Sequence, residues 1–240
     1  MEISAIIPCY NFDQKIKKNI LLLNNILKKN FQSYEMIIIN DASHDDTKNE
    51  LKKIEELKKI KKLTIIHNKY NRGKSYSVIK GIKKAVGEKI FLYDCDLPYR
   101  KYLNLFLKKL KNNKFVIIDR KNKKSKLIRK NINLYQKIRY LIGIVISYIV
   151  CLFLQINIMD TQSGMKGFIN LKLLRKKKFI SERFFLDIEI INLFKKNKIY
   201  PTKIPVKFEI PNNSTIQLLD IKNLKIIIEL FKVLSKLKKL

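Results

Sequence analysis

A chain of 240 residues with 46% hydrophobic content can bury one sizeable core, which excludes a largely disordered protein. Against 52 Lys and Arg it has only 20 Asp and Glu, and the formal net charge of +32 will attract phosphate in a nucleotide, an anionic lipid headgroup or a nucleic acid. Cys9, Cys95 and Cys151 are widely spaced with no CxxC pair, which argues against a disulfide framework or a thiolate zinc site, and the start MEISAIIPCYN lacks the basic region of a signal peptide; a cytoplasmic protein is expected.

Five short apolar runs come first: ISAIIP, EMIIIN, LTIIH, KIFLYD and KFVIID, separated by lysine-rich stretches of helical length and period. This alternation predicts an α/β domain with a mostly parallel central sheet flanked by helices. Ligands of such sheets bind beyond the carboxyl ends of the strands, which directs attention to PCYNFD, NDASHDD, HNKYNRGKS, DCDLPYR and DRKNKKS. After the fifth run a basic loop from Arg120 to Arg129 leads into the uncharged stretch YLIGIVISYIVCLFLQINIM, Tyr140 to Met159. Its length would cross a bilayer, but a crossing would part the two halves of a site built from both sides of it. Residues 133–159 are therefore expected to be helical and to lie in the membrane interface or partly in the core. The rest reads as MDTQSGMKGF, a short helix, RFFLDIEIINLF, a strand pair around YPTKIPVKFEIP and an amphipathic helix from about Asp220 to Leu240. The domain is expected to cover 1–212, followed by the C-terminal helix within 213–240.

Acids are scarce, yet Asp94 and Asp96 stand two apart at a strand end. On an extended backbone both leave the same side, and two hard carboxylates suit Mg²⁺ or Mn²⁺ bound to substrate phosphates, with water completing the shell. NRGKS reads as a phosphate cradle, in which Gly73 opens a helix and Arg72 and Lys74 add charge, although the earlier glycine of a P-loop is missing. Asp41 ends the second strand, with Ser43 and Asp45 as turn and capping residues. Cys95 points to the opposite face and packs, while His44 and His67 read as turn and strand-end residues without a catalytic role.

In order, PCYN, NDASHDDT, NRGKS, DCD, DTQSGMKGF and RFFLDIE resemble the family 2 glycosyltransferases of GT-A fold, and within them the dolichol-phosphate mannosyltransferase and glucosyltransferase branch, over roughly Ile3 to Pro211. The resemblance implies an inverting, metal-dependent transfer of a hexose from a nucleotide sugar to a polyprenyl phosphate. Pro8, Tyr10, Asn11, Asp41 and Lys74 would then bind the donor, and Asp94 and Asp96 would hold the metal on its diphosphate, with Asp96 counted among the catalytic residues. Arg120 and Arg129 would grip the acceptor phosphate, and Gln162, Asp187 and Glu189 would lie near sugar and acceptor. An ionised phosphate acceptor needs little general-base help; a hydroxyl acceptor would need a carboxylate, for which Asp187 is the candidate.

The chain departs from the family at Phe12, where an acid is usual, at Asn40 and Ala42, which replace the first acid and the glycine of DDGS, and at Pro98, which replaces a glutamine ligand of some mannosyltransferase relatives. The last favours UDP-glucose or a similar donor over GDP-mannose. Peripheral attachment to the cytoplasmic face of an anionic membrane is expected. Two rival readings remain: a soluble family 2 transferase extending a capsular, lipopolysaccharide or protein-linked glycan, and a basic nucleic-acid-binding protein. No nucleic-acid partner is expected, because no binding motif accompanies the charge.

Overall fold

Alternate residues of every strand point to opposite faces, and this period of two divides the core. In the computed structural model, which describes residues 1–128, 133–169, 171–210 and 224–239, the elements run β1 (Ile3–Cys9), α1 (Asp13–Asn30), β2 (Tyr34–Asn40), α2 (Thr47–Glu56), β3 (Leu63–His67), α3 (Lys74–Lys84) and β4 (Lys89–Tyr93). A 3₁₀ turn (Arg100–Tyr102), α4 (Leu103–Asn112), β5 (Phe115–Ile118), β6 (Lys126–Leu127) and α5 (Leu134–Leu154) follow. The chain continues through β7 (Met165–Ile169), α6 (Leu171–Lys176), α7 (Leu186–Lys196), β8 (Thr202–Ile204), β9 (Lys207–Phe208) and α8 (Leu224–Lys239). Ile3, Ala5 and Ile7 of β1 join a core with the apolar faces of α1, α2 and α4. Ile6, with Ile37 and Ile39 of β2, joins a second core against α3, α5, α7 and α8. The result is three layers, with each fully buried aliphatic side chain contributing about 1.5–3 kcal/mol.

The main sheet has the order β3-β2-β1-β4-β7-β5-β8. Its pairs are parallel except around β7, which runs antiparallel between β4 and β5. The mostly parallel sheet expected from the sequence is thus present, with a reversed strand that hydropathy did not reveal: MKGFI carries a lysine and a glycine where a buried strand is usually aliphatic. Gly167 is required there, because a Cβ would come 2.6 Å from Leu110 of α4, and the close helix permits no side chain.

Two other expectations need correction. The strands around YPTKIPVKFEIP do not pair with each other: β8 adds to β5 in the main sheet, and β9 pairs in parallel with β6. The turn from Asp94 to Leu97 is not extended, since β4 stops at Tyr93 and Leu97 N–H returns to the Asp94 carbonyl. Helix α5 begins at Leu134, earlier than the uncharged stretch, with Asn133 and Gln136 forming a reciprocal capping box. The described part of the terminal helix begins at Leu224, so the expected start near Asp220 lies outside the described residues.

Candidate active site

The carboxyl ends of β1, β2 and β4 bring the first four motifs to one rim. Asn11 donates its N–H to Ser43 Oγ (2.9 Å), and its Oδ1 accepts from His44 N (2.9 Å), which ties PCYN to NDASHDDT. Asn40, in place of the usual acid, accepts from both N–H and Oγ of Ser43. Ala42 adopts a left-handed conformation (φ 57°), the one that a glycine would take without penalty. Asn11, Leu97 and Tyr99 also have positive φ, so this rim holds several residues in sparsely populated conformations, as functional loops often do.

Asp41 is buried, and its oxygens are occupied: Oδ1 accepts from Asn68 Nδ2 (2.7 Å) and Arg72 N (3.1 Å), Oδ2 from Gly73 N (2.7 Å). In the structure it anchors the NRGKS loop. The cradle expected at this loop is likewise filled by protein. Gly73 N–H goes to Asp41, Ser75 N–H to the Arg183 carbonyl (2.9 Å) and Tyr76 N–H to the Glu182 carbonyl (3.1 Å). The cation that this turn offers to the cleft is Lys74.

Lys74 Nζ lies 2.5 Å from Asp94 Oδ1, with the lysine side chain 40% and the aspartate 31% exposed. Burial lowers the Lys74 pKa, but the carboxylates of Asp94, Asp187 and Asp96 outweigh it and hold the ammonium above the ordinary lysine value. Asp96 is exposed on the turn after β4, outside the cleft lining; partial desolvation by the surrounding protein, then the neighbouring Asp94 charge, push its carboxyl up to about 6 despite Lys74. Two hard-oxygen acids two residues apart suit a divalent cation. Among the described residues no cluster of three or more His, Cys, Asp or Glu gathers at one point. The donor set therefore fits a divalent ion that takes its remaining ligands from diphosphate and water, as Mg²⁺ commonly does.

The far wall comes from DTQSGMKGF and RFFLDIE. Asp94 N–H donates to the Gly164 carbonyl (3.3 Å), and a Cβ on Gly164 would overlap Asp94 Oδ2 and lie 3.0 Å from Pro98, so the backbone crosses directly over the acid. Lys166 is 1% exposed and stands between two acceptors, the Ser163 carbonyl (2.5 Å) and Asp187 Oδ1 (3.1 Å). Burial lowers its pKa; Lys74 lowers it further, against the opposing pull of Asp187 and Asp160. Motif order alone does not single out Lys166; its signal in the sequence is a lone lysine inside the run MKGFI. Lys74, Asp94, Gly164, Lys166 and Asp187, together with Pro8, Ser75, Leu92, Phe184 and Leu186, line one cleft.

Three expected acceptor or sugar residues are placed elsewhere. Arg120 is engaged with Asp160, which receives Nε (2.7 Å), Nη2 (2.5 Å) and the Arg120 backbone N–H (2.8 Å). Nε and Nη2 thereby tie the loop after β5 to the start of DTQSG. Glu189 is fully buried and accepts from the N–H groups of Ile180 and Ser181, so it braces the loop before α7 and does not line the cleft. Gln162 is exposed on the turn before β7, also off the cleft lining. Arg129 lies outside the described residues. Tyr10 is 38% exposed beside His44, while Asp187, like Pro8 and Lys74, does line the cleft.

A mostly parallel sheet with paired acids after β4, a reversed β7 beside β4 whose preceding Gly164 lies against Asp94, and a cleft that sets acids beside lysines define a glycosyltransferase of GT-A fold. The pattern described as glycosyl transferase family 2 matches residues 4–170, and the chain belongs to that family. It is 32% identical to the putative glycosyltransferase CsbB of Bacillus subtilis over 51% of this chain and 37% of that protein. It is 36% identical to an uncharacterized glycosyltransferase of Rickettsia bellii over 48% of this chain and 16% of that protein. To a dolichol-phosphate mannosyltransferase of Pyrococcus furiosus it is 30% identical over 41% of this chain and 27% of that protein. The match spans well under half the length of each of these relatives. Among solved structures, glucosyl-3-phosphoglycerate synthase from Mycobacterium tuberculosis in complex with UDP aligns at a TM-score of 0.64 and 14% identity, over 98% of this chain and 80% of that one, a likeness of fold.

Proposed function

We propose that the chain transfers a hexose, with inversion, from a uridine-type nucleotide sugar to a polyprenyl phosphate at the cytoplasmic face of a membrane. The reading is carried by one observation: Asp94 and Asp187 line one cleft, each paired with its own lysine, Lys74 with Asp94 and Lys166 with Asp187. A divalent ion held by Asp94 and Asp96 would neutralise the developing charge of the leaving diphosphate, and complexes of the M. tuberculosis synthase with Mn²⁺ and UDP-glucose support that donor chemistry. Lys74, long and part-exposed, reaches from Asp94 toward the same phosphates as a second positive group. Lys166 fixes the orientation of Asp187 on the acceptor side.

An anionic phosphate acceptor attacks without losing a proton, so no base is demanded of Asp187 in this reading. The apolar helix that follows the basic loop after β5 supports a lipid-linked acceptor, since α5 keeps Leu134, Leu141, Val145 and Leu152 more than half exposed. The position of Asp187 also suits a hydroxyl acceptor, where its free oxygen would take the proton, and this defines the rival.

The test is turnover by the purified full chain with Mn²⁺ or Mg²⁺, a panel of UDP- and GDP-sugars, and undecaprenyl phosphate beside a water-soluble glycan. Transfer of UDP-glucose to the prenyl phosphate is expected. Transfer to the glycan alone would overturn the acceptor, and transfer from GDP-mannose alone would overturn the donor.

A further inference from the structure

Helix α5 touches the rest of the domain at several points along one face. Tyr140 packs on Phe208, Lys121 Nζ bonds the Gly143 carbonyl (3.1 Å) and Ser147 Oγ (2.5 Å), and Val150 and Leu154 are buried. These contacts, one of them from a lysine ammonium, seat one face of α5 on the domain. Its opposite face leaves Leu141, Val145, Tyr148 and Leu152 between 56% and 63% exposed. Helix α8 packs beside it through Leu230, Val233, Leu234 and Leu237 and turns outward Ile228 (60%) and Phe231 (66%). Lys232 and Lys236 are exposed on α8, and Lys238 Nζ lies 5.1 Å from the centre of the Phe153 ring, where the two helices meet. Large contiguous apolar surface is unusual on a protein that meets only water. Rimmed by lysines in a chain of net charge +32, it suits an anionic headgroup layer with acyl chains beneath.

The residue next to Ile228 turns the other way. Glu229 Oε1 accepts from Ser181 Oγ (2.7 Å), Glu182 N (2.9 Å), Arg183 N (2.8 Å) and Phe184 N (3.4 Å), four donors converging on one oxygen. That loop is clamped from its other side by α3: the Arg183 carbonyl accepts Ser75 N–H, and Gly73 passes so near that a Cβ would come 2.8 Å from Arg183 Cα. One residue on is Phe184, which lines the cleft, and Asp187 follows at the start of α7. A carboxylate of the apolar helix pair therefore holds the loop that joins Lys74 to Asp187.

We propose that the outward faces of α5 and α8 form one docking surface for an anionic phospholipid bilayer, and that Glu229 passes docking on to the cleft by fixing residues 181–184. The effect on turnover rests on the transferase reading above; vesicle binding does not, so the two can fail separately.

The full chain is sedimented with vesicles of phosphatidylcholine alone and of phosphatidylcholine with phosphatidylglycerol. It is expected to pellet with the anionic vesicles, and Val145→Ser with Phe231→Ser, both at exposed positions, to weaken partitioning roughly tenfold with an unchanged melting temperature. Equal pelleting of this variant, or no pelleting of the wild type, overturns the surface; so does light scattering that shows a vesicle-independent dimer abolished by the same variant. Glu229→Gln should bind vesicles as the wild type does but lose their stimulation of UDP-glucose turnover. In wild-type protein the amides of residues 182–184 should exchange hydrogen more slowly on vesicles. Unaltered exchange on vesicles, or full stimulation in Glu229→Gln, overturns the coupling.

Discussion

Gly164→Ala offers the sharpest test of how the cleft is assembled. The new methyl would overlap Asp94 Oδ2 and press on Pro98 at 3.0 Å. The backbone cannot yield easily, because Asp94 N–H is bonded to the Gly164 carbonyl and Tyr93 is paired with Met165 in the sheet. The carboxylate must therefore retreat by about 1 Å to regain ordinary contact distance. Overpacking of this kind costs about 1–3 kcal/mol of stability. A displacement of about 1 Å in a group that positions substrate costs on the order of 10²-fold in kcat/KM, or about 2.7 kcal/mol. Steady-state kinetics with UDP-glucose, Mn²⁺ binding by calorimetry and a thermal melt would be compared with Gly143→Ala, where a Cβ meets no atom within 4 Å. That control should be silent in kinetics and stabilising by up to about 1 kcal/mol through helix propensity. If Gly164→Ala keeps kcat/KM within about twofold of wild type, the close passage of the backbone over Asp94 has no bearing on the reaction.

Asp96→Ala should abolish sugar transfer with little change in melting temperature; retained transfer would remove the cation site from the mechanism. Asp41→Asn separates anchor from ligand contact, since loss of charge-assisted bonds to Arg72 and Gly73 should lower stability by about 1.5–3 kcal/mol as well as donor affinity, whereas a base contact would lower affinity alone. Asp160→Asn leaves the Arg120 guanidinium without its carboxylate and should cost about 3–5 kcal/mol in denaturant unfolding. Burial raises the Asp160 pKa, but its bonds from Arg120 outweigh this and hold it below the ordinary carboxylate value. Its contribution is therefore complete above its unfolded pKa of about 4 and lost as pH falls through the lower folded value, so the stability gap between wild type and Asp160→Asn should close below about pH 4. Lys166→Met removes the buried partner of Asp187 and should depress kcat more than donor affinity, a split that equal losses in both would contradict.

The five apolar runs announced β1 to β5 because each is aliphatic, short and bounded by turn chemistry. The reversed β7 escaped because Lys166 and Gly167 break its hydropathy, and both have positional reasons that only the fold supplies: a partner in Asp187 and a helix packed at Gly167. Motif order points to Asp94, Lys74 and Asp187, which line one cleft, and to Asp96, which stands two residues from Asp94 but outside that lining. Asp41, Arg120 and Glu189 sit in the expected motifs, yet their polar atoms turn to the backbone of neighbouring loops or, for Arg120, to Asp160. Residue type and order disclose which segments meet; they do not disclose whether a carboxylate or guanidinium is left over for a ligand after the segments are joined.

The place of β7 between β4 and β5 also bears on how the protein folds. Its partner in β4 carries the residues before Asp94, yet α4, β5, β6 and α5 intervene in the chain, so the pairing closes a long loop whose entropy is lost before the ladder returns it. Such non-local pairing slows folding and leaves β4 an open sheet edge until it forms. Because Gly164 and Lys166 arrive with that strand, the two walls of the cleft are completed in the same step that seals the sheet. A polypeptide halted before β7 would show both acids on an unsatisfied edge, vulnerable to pairing with another chain.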